Sequence, residues 1–206
     1  MKPENPLLQQ ILEAAKKKFS QNGYRATTIE QIAEAAATSK TMIYYHYKNK
    51  SALYEAVLKS LFALKADEYK DFALGEQKEE LLYLFSKLLQ KMQSDRLARY
   101  SLLAREMAER KEHFRELCDV YWLAYYQYFT NIVARGVASG EFVSKQPVEF
   151  TAFTLFADIL SYQSLQVTYS GTEVYEKLYP ENYYVKKMQY LEDLLEKLLK
   201  SETAVG

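Results

Sequence analysis

Cysteine is all but absent from this chain of 206 residues. Cys118 stands alone, so no intrachain disulfide framework can form, and a reducing compartment is the expected setting. Beside that one thiol there are only two histidines, His46 and His113, so a soft-metal site has few ligands to draw on. No metal and no cofactor are expected. Glycine (six) and proline (four) are scarce, which leaves room for long uninterrupted helices. No apolar run approaches the ~18 residues of a membrane span. The opening Met1-Lys2-Pro3-Glu4-Asn5-Pro6 lacks the apolar core of a secretory signal. No membrane partner is expected, and the cytoplasm is the expected location. Gly-rich phosphate loops, metal-ligand spacings and nucleophile elbows are missing too, so no enzyme is expected.

What the chain does have is an ordinary globular composition, 49% hydrophobic and 26% charged, with an excess of tyrosine (19). Its formal net charge is zero, but the charge is unevenly spread. Residues 1–60 carry nine basic side chains (Lys2, Lys16, Lys17, Lys18, Arg25, Lys40, Lys48, Lys50, Lys59) against five acidic ones (Glu4, Glu13, Glu30, Glu34, Glu55). That end is +4 and the remainder −4, a pattern suited to attracting DNA at one end only.

The periodicity is helical throughout. Asn5 is an N-cap candidate before Pro6, and Leu8, Ile11, Leu12, Ala15 and Phe19 follow at helical spacing. Gly23 is placed to end that helix in the left-handed conformation. Thr27-Thr28-Ile29-Glu30 has capping-box form, with Thr27 and Glu30 as the pair. Thr38 or Ser39 caps a third helix through Tyr44, and Asn49 a fourth carrying Leu53, Val57, Leu61 and Leu64. Further helices are expected at about 77–93, 96–109, 112–138, 147–168 and 182–200, with breaks that include Gly171 to Pro180. The predicted class is all-α: an N-terminal domain over 1–60 and a helical domain over 61–206.

Helices two and three form a helix-turn-helix candidate, with Ala37-Thr38 in the turn. Ile32 and Ile43 supply an apolar underside; Ser39, Lys40, Thr41, Tyr44 and Tyr45 supply an outer face of short polar, basic and aromatic groups. Such a face suits base edges and phosphates in a major groove. Lys48 and Lys50 lie just beyond it, beside the amide-rich start of the fourth helix. Of Thr27 and Thr28, one is expected to cap and one to meet a phosphate. His46 reads equally as a phosphate contact or a partly buried structural residue, and Tyr47 as packing.

The runs Gly23-Tyr24-Arg25-Ala26-Thr27-Thr28-Ile29-Glu30-Gln31-Ile32-Ala33, Ser39-Lys40 and Ile43-Tyr44-Tyr45-His46-Tyr47-Lys48-Asn49-Lys50-Ser51-Ala52-Leu53 closely resemble the DNA-binding domain of TetR-family transcriptional regulators. The resemblance covers about residues 7–60. It implies a homodimer on palindromic double-stranded operator DNA, with a C-terminal domain that takes a small-molecule effector and dimerises through its last two long helices. By that resemblance the stripe Met188, Leu191, Leu195 and Leu198 is the expected dimer seam. Two departures stand out. Ala37-Thr38 replaces the family's usual Gly-Val, so an alanine is asked for a positive φ. Tyr47 replaces the usual phenylalanine.

From Tyr121 to Val133 the sequence is aromatic on more than one helical face, which calls for burial on most sides. Tyr121, Trp122, Tyr125, Tyr126 and Phe129, faced by Phe153 and Phe156, describe either a tyrosine-rich core or a ring-lined effector pocket. Glu106 and Asp158 interrupt apolar runs and are candidate partners for a cationic ligand. The expected function is a repressor released from its operator by a small aromatic or cationic molecule. The competing reading is a protein of the same fold that organises DNA, or blocks a partner, without sensing any ligand.

Overall fold

Asn5 opens the first helix: its side chain accepts from the Leu7 amide at 3.0 Å, and Pro6 supplies the first helical residue. In this computed structural model, which describes residues 5–63, 75–109, 112–143, 146–178 and 182–199, the chain is all-α. The helix α1 (Pro6–Ala26) is broken at Gly23, where φ is +80°. Then come α2 (Ile29–Ala35), α3 (Lys40–His46) and α4 (Lys50–Phe62). Ser39 caps α3 by accepting from Met42, and Asn49 caps α4 by accepting from Ala52 at 2.8 Å. The later helices are α5 (Gln77–Gln93), α6 (Arg96–Glu109), α7 (Glu112–Glu116), α8 (Leu123–Ser139), α9 (Val148–Thr168), α10 (Glu173–Leu178) and α11 (Tyr183–Leu199).

Four local readings change. The capping box sits one residue later than expected: Thr28 accepts from Gln31, and Gln31 reaches back to the Thr28 amide. Thr27 is instead fully buried, its hydroxyl donating to the Gly23 carbonyl at 2.8 Å. The helix α4 stops at Phe62, and Leu64 lies outside the described residues. The expected break after Gly171 holds α10, which Thr172 starts by accepting from the Tyr175 amide at 3.2 Å. Six residues with no buried side chain leave no periodic signal to read. Finally, Leu117–Trp122 winds as π-helix between α7 and α8.

Two compact units result. The first takes the described part of Met1–Ala63 and adds Asp95–Tyr121, so α6 and α7 complete a core that α1–α4 begin. Ile11, Phe19, Ile32, Ile43, Leu53, Leu58 and Leu102 are its fully buried centre. Two buried cations are satisfied inside it. Lys16 pairs with Glu13 and Asp95, which hold its ammonium above the usual range against the cost of desolvation. Arg99 donates to the Leu61 carbonyl in the last turn of α4. The second unit, within Leu64–Ser94 and Trp122–Gly206, centres on Leu81, Phe85, Phe129, Ile132, Leu155, Leu191 and Leu195. There Glu141 caps α5, accepting from the Gln77 and Lys78 amides at 2.8 and 2.7 Å.

Candidate functional site

The turn from α2 into α3 closes with the Thr38 amide donating to the Ala33 carbonyl (2.9 Å) and the Ala37 amide to the Glu34 carbonyl (3.1 Å). This paired closure requires a left-handed residue between helix and exit, and Ala37 adopts it at φ +47°. The alanine that replaces glycine therefore keeps the turn and bears the strain, rather than rearranging it.

That turn holds α3 with Ile43 fully buried and Lys40, Thr41, Tyr44 and Tyr45 in solvent. The exposure of Tyr45 reaches 79%, and its ring meets His46 edge-on at 4.9 Å. Ser39 is spent on the α3 cap but stays exposed, as does Thr28 at the start of α2. Lys48 is free in solvent at the far end. Burial pushes the Tyr47 phenol up, in keeping with a packing role.

Two expected contacts are placed differently. Thr27 cannot meet a phosphate, because its side chain is enclosed and bonded to backbone carbonyls. Lys50 turns inward: its ammonium donates to the Thr27 carbonyl at 3.0 Å and lies 4.5 Å from the centre of the Tyr24 ring. It locks the start of α4 to the α1–α2 junction. One residue expected only in a capping box is drawn in. Glu30, on α2, pairs with Lys40 across the turn at 3.4 Å. Ten positions separate the two, so no helical spacing signals the contact.

Residues 11–57, which contain this unit's helix-turn-helix, match the family model described as bacterial regulatory proteins, tetR family. The helix-turn-helix segment belongs to the TetR family. The chain is a sequence-specific DNA-binding transcriptional regulator by that membership. Over 155 residues, 72% of this chain and 74% of the other, it is 28% identical to the transcriptional regulator TtgR of Pseudomonas putida. Over 62 residues it is 45% identical to RutR of Escherichia coli, 30% of this chain and 29% of that protein. In fold it is similar to FadR from Bacillus subtilis in complex with stearoyl-CoA, with TM-score 0.71, 19% identity and coverage of 94% and 100%. It is likewise similar to the ketosteroid regulator KstR2 of Mycobacterium tuberculosis, with TM-score 0.66, 19% identity and coverage of 96% and 97%.

The effector residues expected of a TetR-family chain divide between the units. Glu106 and Tyr121 belong to the first. There Glu106 is buried and accepts from the Tyr54 hydroxyl at 2.5 Å, so it is not a free carboxylate awaiting a cation. In the second unit Tyr125 stacks on Phe156 at 6.4 Å, and Phe129 lies 6.3 Å from the same ring. Trp122, Tyr126 and Tyr128 flank that core half-buried. Phe153 does not join them; it is 58% exposed, whereas Phe156, three residues on, is buried. Asp158 is already neutralised by Lys187 at 2.7 Å, with its second oxygen buried and unpartnered.

The expected dimer stripe also faces inward. Leu191 and Leu195 are buried in the second unit's own core, with Met188 packed against it; the Leu198 side chain lies outside the described ones. Among the described side chains, the large exposed apolar groups of the last long helices are Phe150, Phe153 and Leu165 on α9 and Val185 and Tyr190 on α11.

Proposed function

We propose that this TetR-family regulator is a homodimeric repressor that leaves a palindromic operator when a small, mainly apolar or aromatic molecule enters its C-terminal half. The observation that carries the DNA contact is α3, whose outer face bears Lys40, Thr41, Tyr44 and Tyr45 while Ile43 anchors it beneath. A paired unit in a dimer would set two such helices about 34–36 Å apart, one DNA turn, to reach successive major grooves. Thr28, Ser39, His46 and Lys48 flank that face as phosphate contacts. In this reading the first 60 residues bind DNA and residues 61–206 sense and dimerise, with α6 and α7 packed in the DNA-binding unit as its support. The protein acts in the cytoplasm, where the chromosome lies.

The stacked Tyr125, Phe129 and Phe156, with half-buried Trp122 and Tyr126 alongside, support an aromatic or apolar effector. A cationic one has less support, because Asp158 and Glu106 already hold partners. The stearoyl-CoA and ketosteroid in the names of the two fold relatives point the same way. Effector binding favours the dimer geometry that misfits the operator, and affinity falls by the difference in binding energy between the two states.

For the partner surface, the exposed Phe150 and Phe153 on α9 and Val185 and Tyr190 on α11 are the apolar groups that support a seam. A second copy covers them by two-fold symmetry. The decisive experiment recovers genomic fragments bound by the dimer and titrates one in a gel shift at stated salt. Tyr44→Ala should weaken that binding with the melting temperature unchanged. A compound screen by thermal shift then tests whether apolar or aromatic hits release the DNA. Failure of the wild type to retain any fragment would refute the reading.

A further inference from the structure

We propose that Glu30 and Lys40 together read one G·C base pair in each operator half-site, Lys40 donating to guanine and Glu30 accepting from cytosine. This rests on the reading of α3 as the helix that enters the major groove. The two charges come from different helices and meet across the turn, Lys40 Nζ lying 3.4 Å from Glu30 Oε1. Their side chains are 62% and 65% exposed, so the pair adds little to folding and its donor and acceptor both remain open to a ligand. Lys40 is the first residue of α3, and the N-terminal residues of a recognition helix are the ones that reach base edges. Glu30 therefore travels to the same place.

A carboxylate brought close to DNA costs affinity unless it finds a donor. In the major groove the donors are the amino groups of cytosine and adenine. A G·C pair presents guanine O6 beside cytosine N4, about 2.9 Å apart because the two are hydrogen-bonded. That arrangement is complementary to an ammonium and a carboxylate 3.4 Å apart. The alternative is a T·A pair, with thymine O4 beside adenine N6. There the ammonium has one acceptor next to a methyl group, whereas guanine offers it both O6 and N7. The geometry selects G·C. Its own backbone N–H and the Lys40 ammonium hold the Glu30 carboxyl below the usual range, so it is an ionised acceptor at neutral pH.

The test uses the full-length protein and an operator selected from random double-stranded DNA, titrated at fixed salt. The selected half-site should contain a G·C pair whose replacement by A·T or T·A weakens binding roughly ten- to hundredfold. At that pair, 7-deazaguanine removes N7, and N4-methylcytosine replaces the outward N–H by a methyl group while keeping the pairing. Each should weaken the wild type, and inosine, which leaves the major-groove edge intact, should not. Lys40→Ala should become indifferent to 7-deazaguanine, and Glu30→Ala to N4-methylcytosine, with melting temperatures unchanged. A half-site without such a pair overturns the proposal. So does a Glu30→Ala protein that stays sensitive to N4-methylcytosine, or that gains affinity equally for every sequence, since Glu30 is then only a repelling charge. A wild type that binds no selected DNA is a separate result, and it removes the DNA-binding reading itself.

Discussion

The Tyr54 hydroxyl donates to a Glu106 carboxylate oxygen at 2.5 Å, joining α4 to α6 inside the first unit, where the two residues are 1% and 7% exposed. The Tyr54 ring also meets Phe19, Tyr24 and His113, each with centroids 4.9 Å away. Residues beyond the helix-turn-helix are thus part of the structure that holds it.

Tyr54→Phe keeps the rings and removes the donor, leaving Glu106 buried without it. Equilibrium unfolding in urea should show a loss of about 1–3 kcal/mol. Burial and the Glu106 carboxylate push the Tyr54 phenol far above its ordinary value of 10.0. A raised folded value gives stability that is present below pH 10 and lost as pH rises beyond it, where the unfolded phenol ionises first. The wild type should therefore lose stability above pH 10 more steeply than Tyr54→Phe. Parallel profiles would mean that this phenol ionises freely in the folded protein.

Ala37→Gly should stabilise. Alanine at φ +47° bears a steric cost on the order of 1 kcal/mol that glycine does not, partly offset by glycine's freer unfolded chain. Calorimetry should show a higher melting temperature, with operator affinity unchanged because Ala37 only closes the turn. A lower melting temperature would show that the turn is relaxed as it stands.

Elements governed by near neighbours in sequence were legible: Asn5, Ser39 and Asn49 are caps both by residue type and in the structure. The capping box was legible only to within one residue. Thr27 and Thr28 are chemically alike, and what separates them is the burial of Thr27 under the Gly23 carbonyl, a tertiary fact. The stripe through Leu191 and Leu195 correctly marked a buried face, but periodicity cannot say whether the covering partner is the same chain or another. Phe150 and Phe153, exposed on α9, are indistinguishable in sequence from the buried Phe156. The α3 face was legible because a run of matching residues carries it, whereas Glu30–Lys40 and Tyr54–Glu106 span ten and 52 positions.

Gly136→Ala should destabilise the second unit. A Cβ there would lie 2.0 Å from the Phe142 ring, whose residue is fixed by its amide donating to the Gly136 carbonyl at 2.9 Å. The ring is 3% exposed and has little room to retreat, so a loss of about 1–3 kcal/mol is expected from overpacking. Phe142→Ala on its own leaves a cavity, but in the double mutant the added methyl group should cost far less than in the wild type. Additive losses in that cycle would show that the ring swings aside freely.

Leu195 and Phe153 distinguish the core of the second unit from its partner surface. Leu195 is 1% exposed within the cluster of Leu81, Phe85, Phe129 and Leu191, so Leu195→Glu buries a carboxylate with no described partner. That cost falls on folding itself, and the variant should lose cooperative unfolding of this unit. Phe153 is 58% exposed beside Phe150 at 68%, so Phe153→Glu costs a single chain almost nothing. In a dimer that buries those rings against their symmetry mates, it sets two carboxylates into an apolar seam. Sedimentation at micromolar concentration should therefore give a folded monomer for Phe153→Glu, with unchanged helical circular dichroism and weakened operator binding, because half-sites are then bound singly. A Phe153→Glu protein that remains dimeric would remove this surface as the seam. A wild type that sediments as a monomer would remove the dimer altogether.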